Sequence, residues 1–267
     1  MFIDINTYIG HWPFRNLENN TLEGLDALAQ RYGLTHMVVS NIEGFFYKDA
    51  NRANLSLMKQ WKAYTGKTKF LPLAIVNPLY PEWERDAREM IDAGFMGFEI
   101  APLYHFYSFC PEMPYDYYTP VHFAKQVLDL AEELDVPVRV CTSVENFRAR
   151  SNYENYDNPT PADVESLLRS NRNTHVFVTS FNPCPLNQGL LKERENTYFD
   201  LTAMAAASLV SDNIPNAASM LHPWQLCYGS LSPFQYMEPT LIALEYEETI
   251  DTETAKAAPA RAFASLR

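Results

Sequence analysis

Glycine is scarce, at nine residues in 267. None of the nine builds a glycine-rich loop behind a β-like run, which removes the usual cradle for a nucleotide phosphate. Cysteine is scarcer still. Cys110, Cys141, Cys184 and Cys227 are widely spaced and form no CxxC pair, so the expectation is free thiols in a reducing compartment, not a disulfide framework. No apolar run is long enough to span a bilayer, and the N-terminus lacks the basic start and apolar core of a signal peptide. Positive charge is also in deficit. The 21 Lys and Arg face 33 Asp and Glu, for a formal net charge of −12, which argues against a nucleic-acid backbone or an anionic membrane as partner. The six histidines, His11, His36, His105, His122, His175 and His222, show no i,i+2 or i,i+4 pair, so no strand or helix face offers two imidazoles to a metal. These absences describe a cytoplasmic chain with neither nucleic acid nor membrane as partner.

What remains is an ordinary globular composition, 47% hydrophobic and 20% charged, on a chain long enough for one large core. Short β-like runs alternate with helical stripes. The first strand opens on Phe2-Ile3 and runs through Asp4-Ile5-Asn6-Thr7-Tyr8-Ile9-Gly10, with Asn6 and Tyr8 on one face. Further strands read at 36–40, 70–76, 97–101, 136–140, 175–179, 197–201 and 226–229. Between them lie helical stripes behind Thr21, over 53–64, behind a first-turn Pro81, from Phe123 to Leu134, and behind Thr160-Pro161, with further helices at 239–247 and 252–266. Eight strands each followed by a helix or a long connection predict an α/β fold, a single (β/α)8 TIM barrel over residues 1–267.

Chemistry in such a barrel sits at the C-terminal ends of the strands. Those ends carry Asn6 and Tyr8, Asn41, Asn77, Glu99, Cys141 with Thr142, Ser180 with Asn182, Asp200 with Thr202, and Ser230 with Ser232. The set is polar, mostly uncharged and without histidine. Asn41, Asn77 and Asn182 have an alternative use as turn caps.

The order of these motifs resembles the amidohydrolase-related family of metal-dependent TIM-barrel hydrolases and decarboxylases, from Asp4 to about Pro239. That family opens with Asp-x-His-x-His-x-Gly, and here the stretch is Asp4-Ile5-Asn6-Thr7-Tyr8-Ile9-Gly10. Its fifth strand ends Pro-Val-x-x-His, where this chain has Pro137-Val138-Arg139-Val140-Cys141. Ser180 stands near the place of its sixth-strand histidine. Its Gly-Ser-Asp-x-Pro is Gly229-Ser230-Leu231-Ser232-Pro233 here, and its Gly-x-Lys is Gly97-Phe98-Glu99. The resemblance implies the family's barrel with the metal ligands exchanged, so no metal and no cofactor are expected. Whether the chain is an enzyme stays open.

The candidate catalytic residues are Glu99 as a general base, Cys141 as a nucleophile and Tyr8 as an acid–base group on a small carbonyl or lactone substrate. The competing readings are a salt bridge for Glu99, to Arg15 or Arg139, and a small apolar filler for Cys141. Asn6, His11, Arg15, Ser180 and Ser230 are candidate ligand-binding residues, with Arg15 suited to a carboxylate. Otherwise His11 and Arg15 are loop residues over Trp12 and Phe14. The aromatic connection 103–120 reads as a lid or a subunit interface, and 144–159 as a polar rim. Expected partners are a small-molecule ligand and either a second copy, since dimers are frequent in the resembling family, or a related subunit. The leading function is a binding or partner-subunit pseudoenzyme, and the alternative is a hydrolase or decarboxylase, metal-free or with atypical ligands.

Overall fold

The computed structural model describes residues 1–111, 122–145, 158–205 and 212–266. Among them the strands are β1 (Ile3–Ile9), β2 (His36–Asn41), β3 (Lys69–Pro72), β4 (Ala74–Ile75), β5 (Phe98–Ile100), β6 (Val138–Cys141), β7 (Val176–Thr179), β8 (Thr197–Asp200) and β9 (Leu226–Cys227). Every pairing is parallel and joins neighbours in the chain. β3 and β4 are one barrel strand interrupted at Leu73. The first part bonds β2, through Leu73 N–H to Val39 O at 2.9 Å, and the second bonds β5, through Ala74 N–H to Gly97 O at 3.0 Å. The ring closes where Ile5 N–H donates to Tyr228 O at 3.1 Å and Tyr8 N–H to Ser232 O at 2.8 Å. Parallel strands need crossovers, and helices supply them on the outside. This is the (β/α)8 barrel the alternation predicts.

Local sequence accounts for the helix ends. Thr21 accepts from Gly24 N–H and opens helix Leu22–Tyr32, which stops at Gly33 in a left-handed conformation, φ 75°. Thr160 and Asp163 form a reciprocal capping box on helix Pro161–Ser170, as the sequence predicts. Two expectations need correcting. Pro81 lies before helix Trp83–Asp92 and not in its first turn, because Glu82 is the cap. The single helix expected over 252–266 ends at Ala257 and continues as 3₁₀ turns at Ala258–Ala262 and Ala264–Leu266, since Pro259 lacks the N–H a helix interior needs. Of the aromatic connection, Tyr104 and Tyr107 are buried and Phe106 is 81% exposed. Tyr115, Tyr117 and Tyr118 lie outside the described residues, as does most of 144–159.

The barrel axis is layered. Ile3, Ile5, Val38, Leu71, Leu73, Phe177, Tyr198 and Phe263 pack as one apolar cluster. At the C-terminal ends of the strands a second cluster contains Tyr8, Trp12, Phe45, Tyr104, Cys141, Val144, Leu231 and Phe234. Trp12 sits in its middle, with ring centroids 4.9 Å from Phe234, 5.1 Å from Phe46 and 5.4 Å from Phe14. Polar groups are held between these two clusters.

Among the glycines, the closest approach of another backbone is at Gly97, where an added Cβ would lie 2.4 Å from Pro137 O. Neither backbone can yield without breaking the β4–β5–β6 register. Gly97→Ala is therefore expected to destabilise the fold by about 1–3 kcal/mol, read as a lower urea midpoint at unchanged slope.

Candidate functional site

β1 carries one residue more than β2 between their paired positions: Asp4 opposes Met37, and Thr7 opposes Val39. A bulge of this kind withdraws backbone groups from the ladder. The Ile5 carbonyl finds its partner across the barrel in Arg139, whose Nη1 donates to it at 3.0 Å and to Val38 O at 3.1 Å. Nη2 donates to Ser40 Oγ at 2.9 Å and to Glu99 Oε2 at 2.6 Å. Tyr8 completes the group. Its hydroxyl donates to Glu99 Oε1 at 2.7 Å, and its ring lies 4.6 Å from the Arg139 Cζ. Arg139 and Glu99 have no exposed surface, and neither do Tyr8 and Cys141.

Burial governs protonation here. It works against the Arg139 charge, but its neighbours together, Glu99 foremost, outweigh burial and the guanidinium stays charged. Burial pushes the Tyr8 phenol well above its ordinary range despite Arg139. It also pushes the Cys141 thiol up, with Glu99 adding to the effect. Both groups are neutral at physiological pH, which denies Cys141 the thiolate that a nucleophile needs.

A second polar group lies around Asp4, Asn6 and Asp200. Asp4 Oδ1 accepts from Asn6 N–H and Ser230 N–H, each at 3.0 Å. Asn6 Nδ2 donates to Asp200 Oδ2 at 2.7 Å and to Ser180 Oγ at 3.3 Å. Asp200 also accepts from Thr202 Oγ1 at 2.6 Å and Ser180 N–H at 2.8 Å. Asp4 Oδ2, Asn6 Oδ1 and Ser232 Oγ are buried without a hydrogen-bond partner. Burial raises Asp4 to about 7 against the pull of its Ser230 and Asn6 hydrogen bonds, and Asp200 adds to the rise. Burial raises Asp200 as well. Ser180 and Leu231 hold φ of 59° and 57°, a left-handed conformation that costs non-glycine residues roughly 1–2 kcal/mol.

Six sequence-named residues thus fall into two adjoining groups: Tyr8, Glu99 and Cys141 in one, Asn6, Ser180 and Ser230 in the other. Glu99 takes the salt bridge to Arg139. His11 and Arg15 are at the rim and are held separately. His11 N–H donates to Glu43 Oε1 at 3.0 Å, whereas Arg15 Nε donates to Glu145 Oε1 at 2.6 Å and Nη2 to Phe234 O at 2.9 Å. Asn41, Asn77 and Asn182 accept from the backbone N–H two residues on, the turn-capping alternative. Sequence reasoning passed over Arg139 as the organiser. Its signal is an arginine at an inward position of the apolar run 136–140, two residues before Cys141, where a buried charge demands a partner.

No family model and no curated protein matches the sequence. Solved structures do match the fold. A 2,6-dihydroxybenzoate decarboxylase from Rhizobium superposes with a TM-score of 0.68 at 12% identity, covering 98% of each chain. The fold is that of the amidohydrolase-related TIM barrels. A Staphylococcus aureus protein described as a candidate amidohydrolase gives 0.66 at 15% identity, over 98% of this chain and 99% of its own. A dihydroxybenzoic acid decarboxylase from Polaromonas with bound manganese and 2-nitroresorcinol gives 0.65 at 12%, over 100% and 97%.

The manganese of that decarboxylase sets a chemical test for the residues here. A divalent metal needs several deprotonated or neutral-nitrogen donors converging on one point. Among the described residues no three His, Cys, Asp or Glu side chains converge in this way. Glu99 is already committed to the Arg139 guanidinium, and the buried Asp4 and Asp200 are taken up by backbone N–H groups, the Asn6 amide and the Thr202 hydroxyl. This donor set does not fit such a metal.

Two outcomes follow from this chemistry. Glu99→Gln strands the Arg139 charge and is expected to cost about 3–5 kcal/mol, whereas adding Arg139→Met to it recovers most of the loss in the same urea titration. For Asp4, the folded carboxyl holds its proton to about pH 7 and the unfolded one releases it near 3.8. The folded state therefore binds the extra proton across that window, so stability falls as pH rises through it, by about 4 kcal/mol at most. Asp4→Asn keeps the acceptor for both N–H groups, and its melting temperature should vary less between pH 5 and 7 than that of the wild type.

Proposed function

We propose that this protein is a single-domain amidohydrolase-like barrel that no longer carries out metal-dependent chemistry and acts as a small-molecule-binding protein or as the partner of a second copy or a related subunit. The observation that carries the reading is the Tyr8–Glu99–Arg139 cluster. In a barrel of this type the inward groups at the strand ends are where chemistry happens. Here a guanidinium occupies the carboxylate that a metal or a substrate proton would require. The aromatic cluster over it, with Trp12 among Phe14, Phe46 and Phe234, separates that centre from solvent. The acidic net charge of −12 favours partners other than nucleic acid or anionic lipid. No helix among the described residues is long and apolar enough to cross a membrane, and the reading places the protein in the cytoplasm.

A second reading has its own support. The fold neighbours include decarboxylases of hydroxybenzoic acids, and Asp4 titrates near neutrality with Oδ2 bare. A hydrolase or decarboxylase acting on a small carbonyl or carboxylate substrate would use that carboxyl as its proton donor.

Elemental analysis of protein purified without chelator, joined to a decarboxylation screen with 2,6-dihydroxybenzoate, separates the two. Less than a tenth of an equivalent of transition metal and no product is the expected result. A stoichiometric metal, or turnover lost in Asp4→Asn, sinks the binding-protein reading.

A further inference from the structure

Beside the sealed barrel axis lies a groove of about 460 Å³, between the connection at 15–19, the end of helix Leu22–Tyr32 and the segment 232–238. We propose that this groove binds a small monocarboxylate with an apolar body the size of one ring, and that Arg15 receives the carboxylate. The proposal rests on the binding-protein reading and moves its ligand site from the barrel axis to the rim.

Arg15 is half exposed, at 43% of its side chain, yet its orientation is fixed. Glu145 holds Nε at 2.6 Å, the Phe234 carbonyl holds Nη2 at 2.9 Å, and the Phe234 ring lies 5.9 Å from Cζ. A guanidinium has five N–H donors, and among the described residues these contacts use two. The rest project from a side chain whose freedom is already spent, which is the preorganisation that favours anion capture. Glu145 is 1% exposed, so this anchor is a buried one. Arg31, whose Cζ lies 5.2 Å from the Tyr32 ring, adds a second cation.

The rest of the lining sets the ligand's body and charge. Tyr32, Phe234 and Tyr236 contribute ring surface. The volume falls in the range of small-molecule sites. Glu18 and Glu238 also line the groove, and Glu238 accepts the Tyr32 hydroxyl. With Glu145 on Arg15, the two cations face three carboxylates, so there is no positive field for a dianion, and a single carboxylate is met by the directed N–H donors of Arg15.

The test uses the full chain and three probes of one shape: phenylacetate, 2-phenylethanol and phenethylamine. Each is titrated by calorimetry and by tryptophan fluorescence, to which Trp12 contributes from 4.9 Å beside Phe234. Phenylacetate is expected to bind at least about tenfold tighter than the alcohol or the amine, and Arg15→Lys, which keeps a charge for Glu145 but loses the fork, is expected to weaken it about tenfold. Arg31→Gln and Tyr236→Ala, both at exposed positions, should each weaken it about threefold and serve if Arg15→Lys proves unstable. Equal affinity for the three probes, absence of phenylacetate binding up to about 10 mM, or indifference to these substitutions overturns the groove. Its failure in a metal-free protein leaves the binding-protein reading standing, whereas a stoichiometric metal removes that reading whatever the groove binds.

Discussion

The structure depends on one buried ion pair. Arg139 and Glu99, 2.6 Å apart without solvent exposure, would be a liability if either stood alone, because the desolvation of a lone charge exceeds what packing returns. The pair is tolerable because nearly every donor is used. The guanidinium satisfies the carbonyls of Ile5 and Val38, the Ser40 hydroxyl and the Glu99 carboxylate, and the Tyr8 hydroxyl takes the other carboxylate oxygen. Only the Nε–H is left without a partner. The bulge in β1 and the arginine in β6 are therefore one device: the bulge exposes a carbonyl to the barrel interior and the arginine consumes it.

From that device the neighbouring chemistry follows. With Arg139 and Glu99 neutralising each other, the interior carries no net field to hold Tyr8 or Cys141 ionised, and burial keeps both in their neutral forms. The carboxylates that remain, Asp4 and Asp200, are displaced toward β1 and β8 and turn to backbone N–H groups and to the Asn6 amide. The amide suits this place. It donates to Asp200 and to the Ser180 hydroxyl at once. The left-handed backbone at Ser180 and Leu231 persists around them, a costly geometry for residues whose side chains bear no charge.

Much of the fold was legible because two signals agreed. The alternation of apolar runs with capped helical stripes gave the eightfold repeat, and caps such as Thr21 and the Thr160–Asp163 box lie where a single sequence can place them. The departures are local: Pro259 ends a helix that periodicity alone would continue, and Glu82 caps the helix that Pro81 is expected to open in its first turn. The candidate site was legible only in part. Strand ends can be read as positions, so Asn6, Tyr8, Glu99, Cys141, Ser180 and Ser230 were found. Which of them touch depends on reach across the ring, and nothing in the run 136–140 says that Arg139 spans to β1 and β2. The separate anchoring of His11 by Glu43 and Arg15 by Glu145 was hidden for the same reason, since partners 32 and 130 residues away leave no local trace.

The bulge in β1 has a bearing on how the ring assembles. Its inward carbonyl, at Ile5, waits for a guanidinium 134 residues further along the chain. Half a barrel made of the first strands alone would leave that carbonyl to water and Glu99 without its counter-ion, so such a fragment gains little from folding by itself. Long-range closures of this kind form after the local contacts that bring them together. The bond between β1 and β6 thus makes the two halves of the chain a single cooperative unit, and an early bulge in the first strand becomes the latch that only the second half can fasten.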